Sequence, residues 1–504
     1  MEQNGLVKDK LILCNHAFVF TNKSDKDPVS LYSFLLLAQA ISENIKAKSK
    51  ILVSMEGFGQ GQYISKIARY LQYRNHLVYT YDKHTSVPLM VDEFCVKNYN
   101  LDYVIKIVVD TRNKCVKLLI LNSKLEYLSL EQYANIEQIY SSNSVFNIDF
   151  ETMDLIKLDL NRLVNTLTSK EHMLKPFVNI KQRYKSMSLL SHANNFALQI
   201  MTKLVTNYNS DFKFRKRKVS LYNLEFLLNI FTKNYRNKEI NNVFHFDELN
   251  TFSVHFLLKN KYKLMDIHSL ALVYLDFYLE EYKRAQIDVS KFKVLIPFDA
   301  PNNIKELLLQ YHVYYEYFDE NTRFSVLNDK SYVFAYSKNG FIANPKYSKQ
   351  INDYYFMICL VWMLNSYANR NNLFTFKYNK LIENFGSTKT TTTSCKLTNL
   401  TIDSITEFID QFNLNNLAKS GYFIEKINKW DTTLLFLFRI QTDKKHELIF
   451  YFDPSANELK ITTHLRITYK YKSVYSFTDK FKITLLINKI IKDLKRFIKQ
   501  KKIK

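Results

Sequence analysis

The sequence predicts an α/β protein: three related α/β domains in tandem, each built on a mixed sheet, followed by a smaller α+β domain. Three observations carry this. A unit of strand, turn, helix and strand occurs three times along the chain. A second unit of strand, polar loop, strand and helix follows it each time, in the same order. The segment after residue 390 breaks the pattern, with several strands first and a long basic helix last. βαβ units joined by short loops favour parallel or mixed sheets covered by helices. Repetition in fixed order marks related domains, placed at 1–176, 177–288 and 289–390, with the fourth at 391–504.

After a polar start holding Gly5-Leu6-Val7, Leu11 to Thr21 reads as one strand. Asp27-Pro28 opens an amphipathic helix from Ser30 to Ala47, with Leu31, Phe34, Leu35, Ala38 and Ile41 on one face. Lys50 to Asp82 is the first strand–turn–helix–strand unit: ILVSM, EGFGQGQ, YISKIARYLQYR, LVYTY. Its later copies are SMSLL to DFKF within Lys185–Phe214 and KVLIPF to VYYEYF within Phe292–Phe318. The second unit begins at Val104, Val243 and Tyr332. In the last domain a Thr-rich loop, Thr388 to Ser394, precedes a helix at Thr401–Phe412. Strands at Thr433–Gln441, Glu447–Phe452 and Leu459–Tyr469 follow, then a helix from Thr478 to Lys504.

Composition narrows the class. At 504 residues and 47% hydrophobic, the chain can bury several cores, and 38 Phe with 35 Tyr exclude a disordered protein. The net charge of +23 favours anionic partners. The basic residues are spread along the chain, so general overuse of Lys, Asn, Ile and Tyr is the simpler account. Only 7 residues are Gly, and Gly57, Gly59 and Gly61 sit together. That leaves few places for the close backbone approach a phosphate loop needs. A GxGxG turn without a following Lys-Ser/Thr is a weak phosphate signal. The 5 Cys are scattered and odd in number, which points to neither a disulfide framework nor a zinc site. No basic-then-apolar leader is evident and no apolar run reaches bilayer length, so a reduced, cytoplasmic protein is expected.

The stretch Leu101–Ser123, LDYVIKIVVDTRNKCVKLLILNS, is where chemistry is expected. Two apolar runs flank Asp110-Thr111-Arg112-Asn113-Lys114, an arrangement that holds a reactive side chain at a sheet edge. With these loops and the order of domains, the chain resembles the α-D-phosphohexomutases (phosphoglucomutase/phosphomannomutase). The resemblance spans nearly the whole chain, in order and spacing more than in identities. It implies an isomerase fold in which a phosphoserine donates its phosphoryl group to a hexose phosphate, with a metal and cationic donors around the transferring group.

Loop by loop, this sequence departs from that pattern. Asp110 stands at the phosphoserine position, and a solvent-exposed carboxylate is expected there. The metal loop falls at Asp247, Glu248 and Asn250, without the alternating acidic spacing that cradles magnesium, so a polar turn is the better reading. The sugar-binding loop becomes Tyr336-Ser337-Lys338-Asn339-Gly340, keeping Gly340 and losing both glutamates; a nearby acidic pattern is reduced to Ile351-Asn352-Asp353. The phosphate loop runs from Asp453 to Leu459 with Asp453 for the leading Arg, while Ser455 and Asn457 remain as donors. Near the N-terminus Gly5-Leu6-Val7-Lys8 lacks a further Arg. Loss at four separate loops implies a pseudoenzyme that keeps the fold, with a sugar phosphate or a protein as partner and no cofactor. Mg2+ belongs only to the alternative of an active mutase with an atypical site. A third reading is a basic anion- or nucleic-acid-binding module on the same scaffold; Lys213–Lys218 and Lys489–Lys504 are the basic clusters that could touch nucleic acid or anionic lipid. A solvated helix face is the favoured account of the terminal cluster. The 11 His match no catalytic or metal spacing.

Overall fold

In the computed structural model the described residues are 8–21, 28–57, 61–111, 114–142, 155–169, 187–192, 195–207, 212–216, 240–258, 260–370, 374–396, 401–411, 422–431, 433–442, 445–467 and 477–503. By internal contact the chain divides into two compact units. One comprises Met1–Asp266 with Asn339–Asn371, the other Ile267–Lys338 with Asn372–Lys504.

The first unit begins with a hairpin. The segment read as one strand is two, β1 (Leu11–Cys14) and β2 (Ala17–Thr21), because Asn15 turns the chain at φ 52°, a left-handed conformation Asn tolerates. Next come α1 (Leu31–Asn44), β3 (Lys50–Gly57), α2 (Gly61–Tyr73), β4 (Leu77–Tyr81), α3 (Leu89–Tyr99), β5 (Tyr103–Asp110), β6 (Cys115–Asn122), α4 (Leu130–Ser142), β7 (Ile156–Leu158) and α5 (Leu160–Leu167). The seven strands order as β1-β2-β6-β5-β3-β4-β7. β5, β3, β4 and β7 are parallel, and the others antiparallel. The central strands are near-continuous apolar runs, as burial on both faces demands. α1 is capped by the Ser30 hydroxyl, which accepts from the Ser33 N–H at 3.1 Å. Tyr63, Ile64, Ile67, Ala68 and Leu71 put one face of α2 into the same core.

Five further strands of this unit are β8 (Met187–His192), β9 (Phe212–Lys216), β10 (Ile240–Phe246), β11 (Phe252–Leu258) and β12 (Lys261–Met265), ordered β12-β11-β10-β8-β9, with α6 (Asn195–Asn207) between β8 and β9. β12 was not legible in the sequence, where KYKLM is short and carries two lysines in five residues. The unit is completed by β16 (Gly340–Ile342) and α10 (Asp353–Asn369), which is buried from Asp353 to Tyr367. An all-round apolar helix of this kind has no solvent face to keep polar.

The second unit holds α7 (Ile267–Arg284), β13 (Lys293–Ile296), α8 (Asn302–Gln310), β14 (Tyr314–Tyr317), α9 (Arg323–Val326), β15 (Tyr332–Ser337) and α11 (Phe374–Phe385). β13 lies parallel between β14 and β15. A five-stranded antiparallel sheet follows, made of β17 (Ser387–Lys396), β18 (Phe423–Asp431), β19 (Leu434–Gln441), β20 (Glu447–Asp453) and β21 (Glu458–Ile467), in the order β17-β21-β20-β19-β18. α12 (Ile402–Gln411) and α13 (Phe477–Ile503) cover one face of it. The Thr-rich stretch expected as a loop is β17, paired with β21 from Ser387↔Ile467 to Lys396↔Glu458. Its β-branched threonines suit a strand, and its polarity suits an exposed edge.

Candidate functional site

In the first unit, the end of β5, the end of β3 and the turn between β10 and β11 meet at Gly57. Gly57 has φ 87°, and a Cβ there would lie 2.2 Å from the Val109 carbonyl oxygen and 2.9 Å from the Leu249 side chain. Only glycine fits. The Gly57 turn thus serves close strand packing; Phe58 to Gln60 lie outside the described residues. Asp110 closes β5 opposite Cys115 and is 6% exposed, which corrects the expectation of a solvent-exposed loop carboxylate. The antiparallel pairing with β6 continues through Asp110 itself, so the residue is sheet and not loop. Arg112 and Asn113 lie outside the described residues.

The turn at 247–251 is tied to itself. One oxygen of the Asp247 carboxylate accepts from the backbone N–H of Leu249 at 2.9 Å and of Thr251 at 2.8 Å, an Asx-type turn. Glu248 contributes its backbone carbonyl, which accepts from the Ser86 hydroxyl at 2.7 Å. Asn250, at φ 55°, donates through its amide to Glu56 Oε1 at 2.8 Å and Ser86 Oγ at 3.1 Å, and its oxygen accepts from the Tyr354 hydroxyl at 2.9 Å. The Tyr354 ring stacks on Phe246, with centroids 4.2 Å apart.

Two further carboxyls border this turn. Burial pushes the Glu56 carboxyl up to about 7, against the pull of Lys106 and Asn250; Asp92 and Asp247 add to the rise. Burial likewise raises Asp353 to about 7, with Asp247 and Glu56 contributing and the Phe341 and Phe252 N–H groups opposing. Gly340 is held at φ 149° against this residue: a Cβ there would come within 2.7 Å of the Asp353 carboxylate and 2.5 Å of Ile351. Beyond Glu56 lies a buried ion pair, Lys106 Nζ to Asp92 Oδ2 at 2.7 Å, with the Tyr81 and Ser54 hydroxyls donating to the same carboxylate at 2.7 and 3.0 Å.

A magnesium ion does not fit this set. It requires hard oxygen ligands in near-octahedral array. Asn250 turns its NH2 toward Glu56 and Ser86 and commits its oxygen to Tyr354, while an Asp247 oxygen is held by two N–H donors. Among the described residues no group of three His, Cys, Asp or Glu side chains is placed to hold a metal.

In the second unit, Tyr336 and Ser337 are fully buried at the end of β15. The Tyr336 hydroxyl bonds His268 Nδ1 at 3.2 Å, and His268 packs edge-on against His464 at 5.4 Å between centroids. Burial and the neighbouring His268 lower His464 to about 4, so it is neutral at physiological pH. Lys338 lies over the rings of Phe436 and Tyr451, at 5.8 and 5.5 Å.

The turn after β20 is also closed on itself. Asp453 Oδ1 accepts from the Ser455 N–H at 3.1 Å, the Ser455 hydroxyl at 2.6 Å and the Ala456 N–H at 3.3 Å, and Oδ2 accepts from Lys460 at 2.6 Å. Burial raises the Asp453 carboxyl, but Lys460 and Ser455 outweigh it and hold the group below its ordinary value. Asn457 adopts φ 52° to complete the turn.

No family model and no curated protein sequence matches the chain. Solved structures do. A protein assigned as a phosphomannomutase from Thermus thermophilus superposes with a TM-score of 0.64 at 10% identity, covering 94% of this chain and 99% of that one. A phosphoglucomutase/phosphomannomutase family protein from Burkholderia thailandensis gives 0.62 at 9% identity over 94% and 97%. The exocytosis-sensitive phosphoprotein pp63/parafusin (phosphoglucomutase) of Paramecium, in an open form, gives 0.62 at 10% identity over 96% and 98%.

The chain has the phosphohexomutase fold.

On that fold the four loop positions lie at strand ends. Asp110, the 247–250 turn and Gly340 belong to the first unit; Tyr336–Lys338 and Asp453–Asn457 belong to the second. Glu56, Ser86 and Tyr354, which complete the first-unit network, were not picked out by sequence, and Asp353 only as the remnant of an acidic pattern. Glu56 lies in β3, Ser86 just before α3, and Asp353 with Tyr354 at the start of α10, so no local spacing links these three places. Of the basic cluster at 213–218, the backbone through Lys216 lies in β9 and the last two residues lie outside the described set. Gly5 to Val7 also lie outside it. Among the described residues no helix is long and apolar enough to cross a membrane.

Proposed function

We propose that this phosphohexomutase-fold protein is catalytically silent and uses its scaffold to bind a sugar phosphate or a protein partner. One observation carries the reading. The Asp453 carboxylate occupies the donors of its own loop, Ser455 N–H, Ser455 hydroxyl and Ala456 N–H, so it stands as an internal anion where a phosphate would need them. The self-closed Asp247 turn supports the same reading, since phosphoryl transfer depends on positioned cations to offset developing charge. Asp110, at the position the resemblance gives to the phosphoryl carrier, has no hydroxyl to carry the group.

The test is a coupled mutase assay on glucose 1-phosphate and mannose 1-phosphate, with Mg2+ and hexose 1,6-bisphosphate as activator. The expected result is no turnover above the protein-free blank. Turnover abolished by Asp110→Asn, with a hydroxylamine-labile phosphate on Asp110, would overturn the proposal in favour of an active mutase with an atypical site. Calorimetry with the same sugar phosphates separates the two binding roles: heat of binding assigns the sugar phosphate, and none assigns a protein partner.

A further inference from the structure

The C-terminal helix α13 has two faces. Ile483, Leu486, Ile490 and Leu494 are buried against the antiparallel sheet, with Ile487, Ile491, Phe497 and Ile498 partly buried beside them. At 3.6 residues per turn, Phe481, Leu485, Asn488, Lys492, Lys495, Arg496 and Lys499 fall on the opposite side. All are exposed, and Phe481 and Leu485 are 55% and 52% so. Lys489 flanks the same line. From 481 to 499 the stripe is about 27 Å long at 1.5 Å per residue. It is ordered by type, with two large apolar side chains toward its N-terminal end and cations along the rest.

The cations carry little internal compensation. Arg496 meets Asp493 at 3.6 Å. Among the described residues no carboxylate pairs with Lys489, Lys492, Lys495 or Lys499. Among the described residues the core contacts of α13 are made by its other face.

We propose that this face of α13 is a docking surface for an anionic phospholipid bilayer. The helix lies lengthwise, its lysines and arginine meet the headgroups, and Phe481 and Leu485 enter the acyl boundary. Charge complementarity selects an anionic partner and sets a second copy of the chain, equally positive here, against itself. The apolar pair selects lipid over nucleic acid, because a phosphate backbone offers no hydrocarbon to receive a leucine. One face of a long helix also presents its side chains along a line that a membrane plane can meet. The contact is peripheral, through one face of a helix already packed on protein, and requires no spanning segment.

The test is flotation of the full chain with vesicles of phosphatidylcholine alone and of phosphatidylcholine with phosphatidylserine. Binding is expected to the mixed vesicles only, and to weaken with salt. Each cation near such a surface is worth about fivefold in affinity, from about 1 kcal/mol. Removing three cations is therefore expected to cost on the order of a hundredfold, and the triple variant K492E/R496E/K499E, which also adds three negative charges, more than that. F481S/L485S is expected to retain binding at low salt and lose it at high salt. A control with the same charge change at exposed first-unit sites, K46E/K83E/K124E, is expected to bind as the parent does, and unchanged thermal melting shows that each variant is folded. Equal binding to both vesicle types, no binding to either, or loss in the control as great as in the stripe variant would overturn the proposal. So would tighter binding to duplex DNA than to mixed vesicles, lost on the same stripe substitutions.

Discussion

Asp353→Asn is expected to change the pH dependence of the first unit in a direction most buried-carboxylate substitutions do not. Asp353 is 5% exposed, and its carboxyl is raised from an ordinary 3.8 to about 7, by burial first and then by Asp247 and Glu56. The folded state therefore holds a proton that the unfolded chain releases near pH 4. Stability from this group is fully present below about pH 4 and is lost as pH rises through about 7. With about 1.4 kcal/mol for each pH unit in that window, the loss between about pH 5 and about pH 8 is roughly 2.5 kcal/mol. Glu56, raised from 4.5 to about 7, acts in the same direction. Asparagine keeps an oxygen for the Phe341 N–H, which now donates to Asp353 at 2.9 Å. It abolishes the titration and relieves Glu56 of a neighbouring charge. The variant is thus expected to lose at least 2 kcal/mol less than the parent over that pH interval, and to be the more stable protein at the alkaline end.

The assay is urea unfolding followed by tryptophan fluorescence. The chain has 2 tryptophans, Trp362 in α10 and Trp430 in β18, so a W430F background leaves Trp362 to report the first unit alone. An unchanged pH slope in D353N, or a variant less stable than its parent near pH 8, would refute the assignment of a proton to this site.

Three other outcomes follow from the same geometry. Gly340→Ala places a methyl 2.5 Å from Ile351 and within 2.7 Å of Asp353, at φ 149°, and is expected to cost about 1–3 kcal/mol in the Trp362 unfolding transition. Asp453→Ala releases Ser455 and Ala456 from their internal anion and is expected to create weak phosphate binding, seen as line broadening in 31P NMR; parent protein that broadens the signal equally would contradict the self-occupied loop. Lys106→Met leaves the fully buried Asp92 without its counter-charge and is expected to cost about 3–5 kcal/mol, whereas the double variant Lys106→Met/Asp92→Leu recovers much of it.

The succession of elements was legible in the sequence. Period-two apolar runs, helical apolar stripes and their threefold recurrence are local properties, set by the neighbours a residue has along the chain, and the strands at 104–109, 243–246 and 293–296 stand where those patterns place them. The polar breaks at Asp110, Asp247–Asn250, Tyr336–Lys338 and Asp453 were also legible, because a polar residue between apolar runs is visible without coordinates. Local pattern failed where it is weak: in the Asn15 turn, in the short charged β12, and in β17, whose threonines serve loops and edge strands alike. What these residues do was set by tertiary packing. That Asp110 is buried within a ladder, that Asp453 binds its own loop's donors, and that Asn250 joins Glu56, Ser86 and Tyr354 depend on side chains distant in sequence. Their protonation and hydrogen bonding are set by burial and by which neighbours the fold delivers, and those are properties of the packed chain.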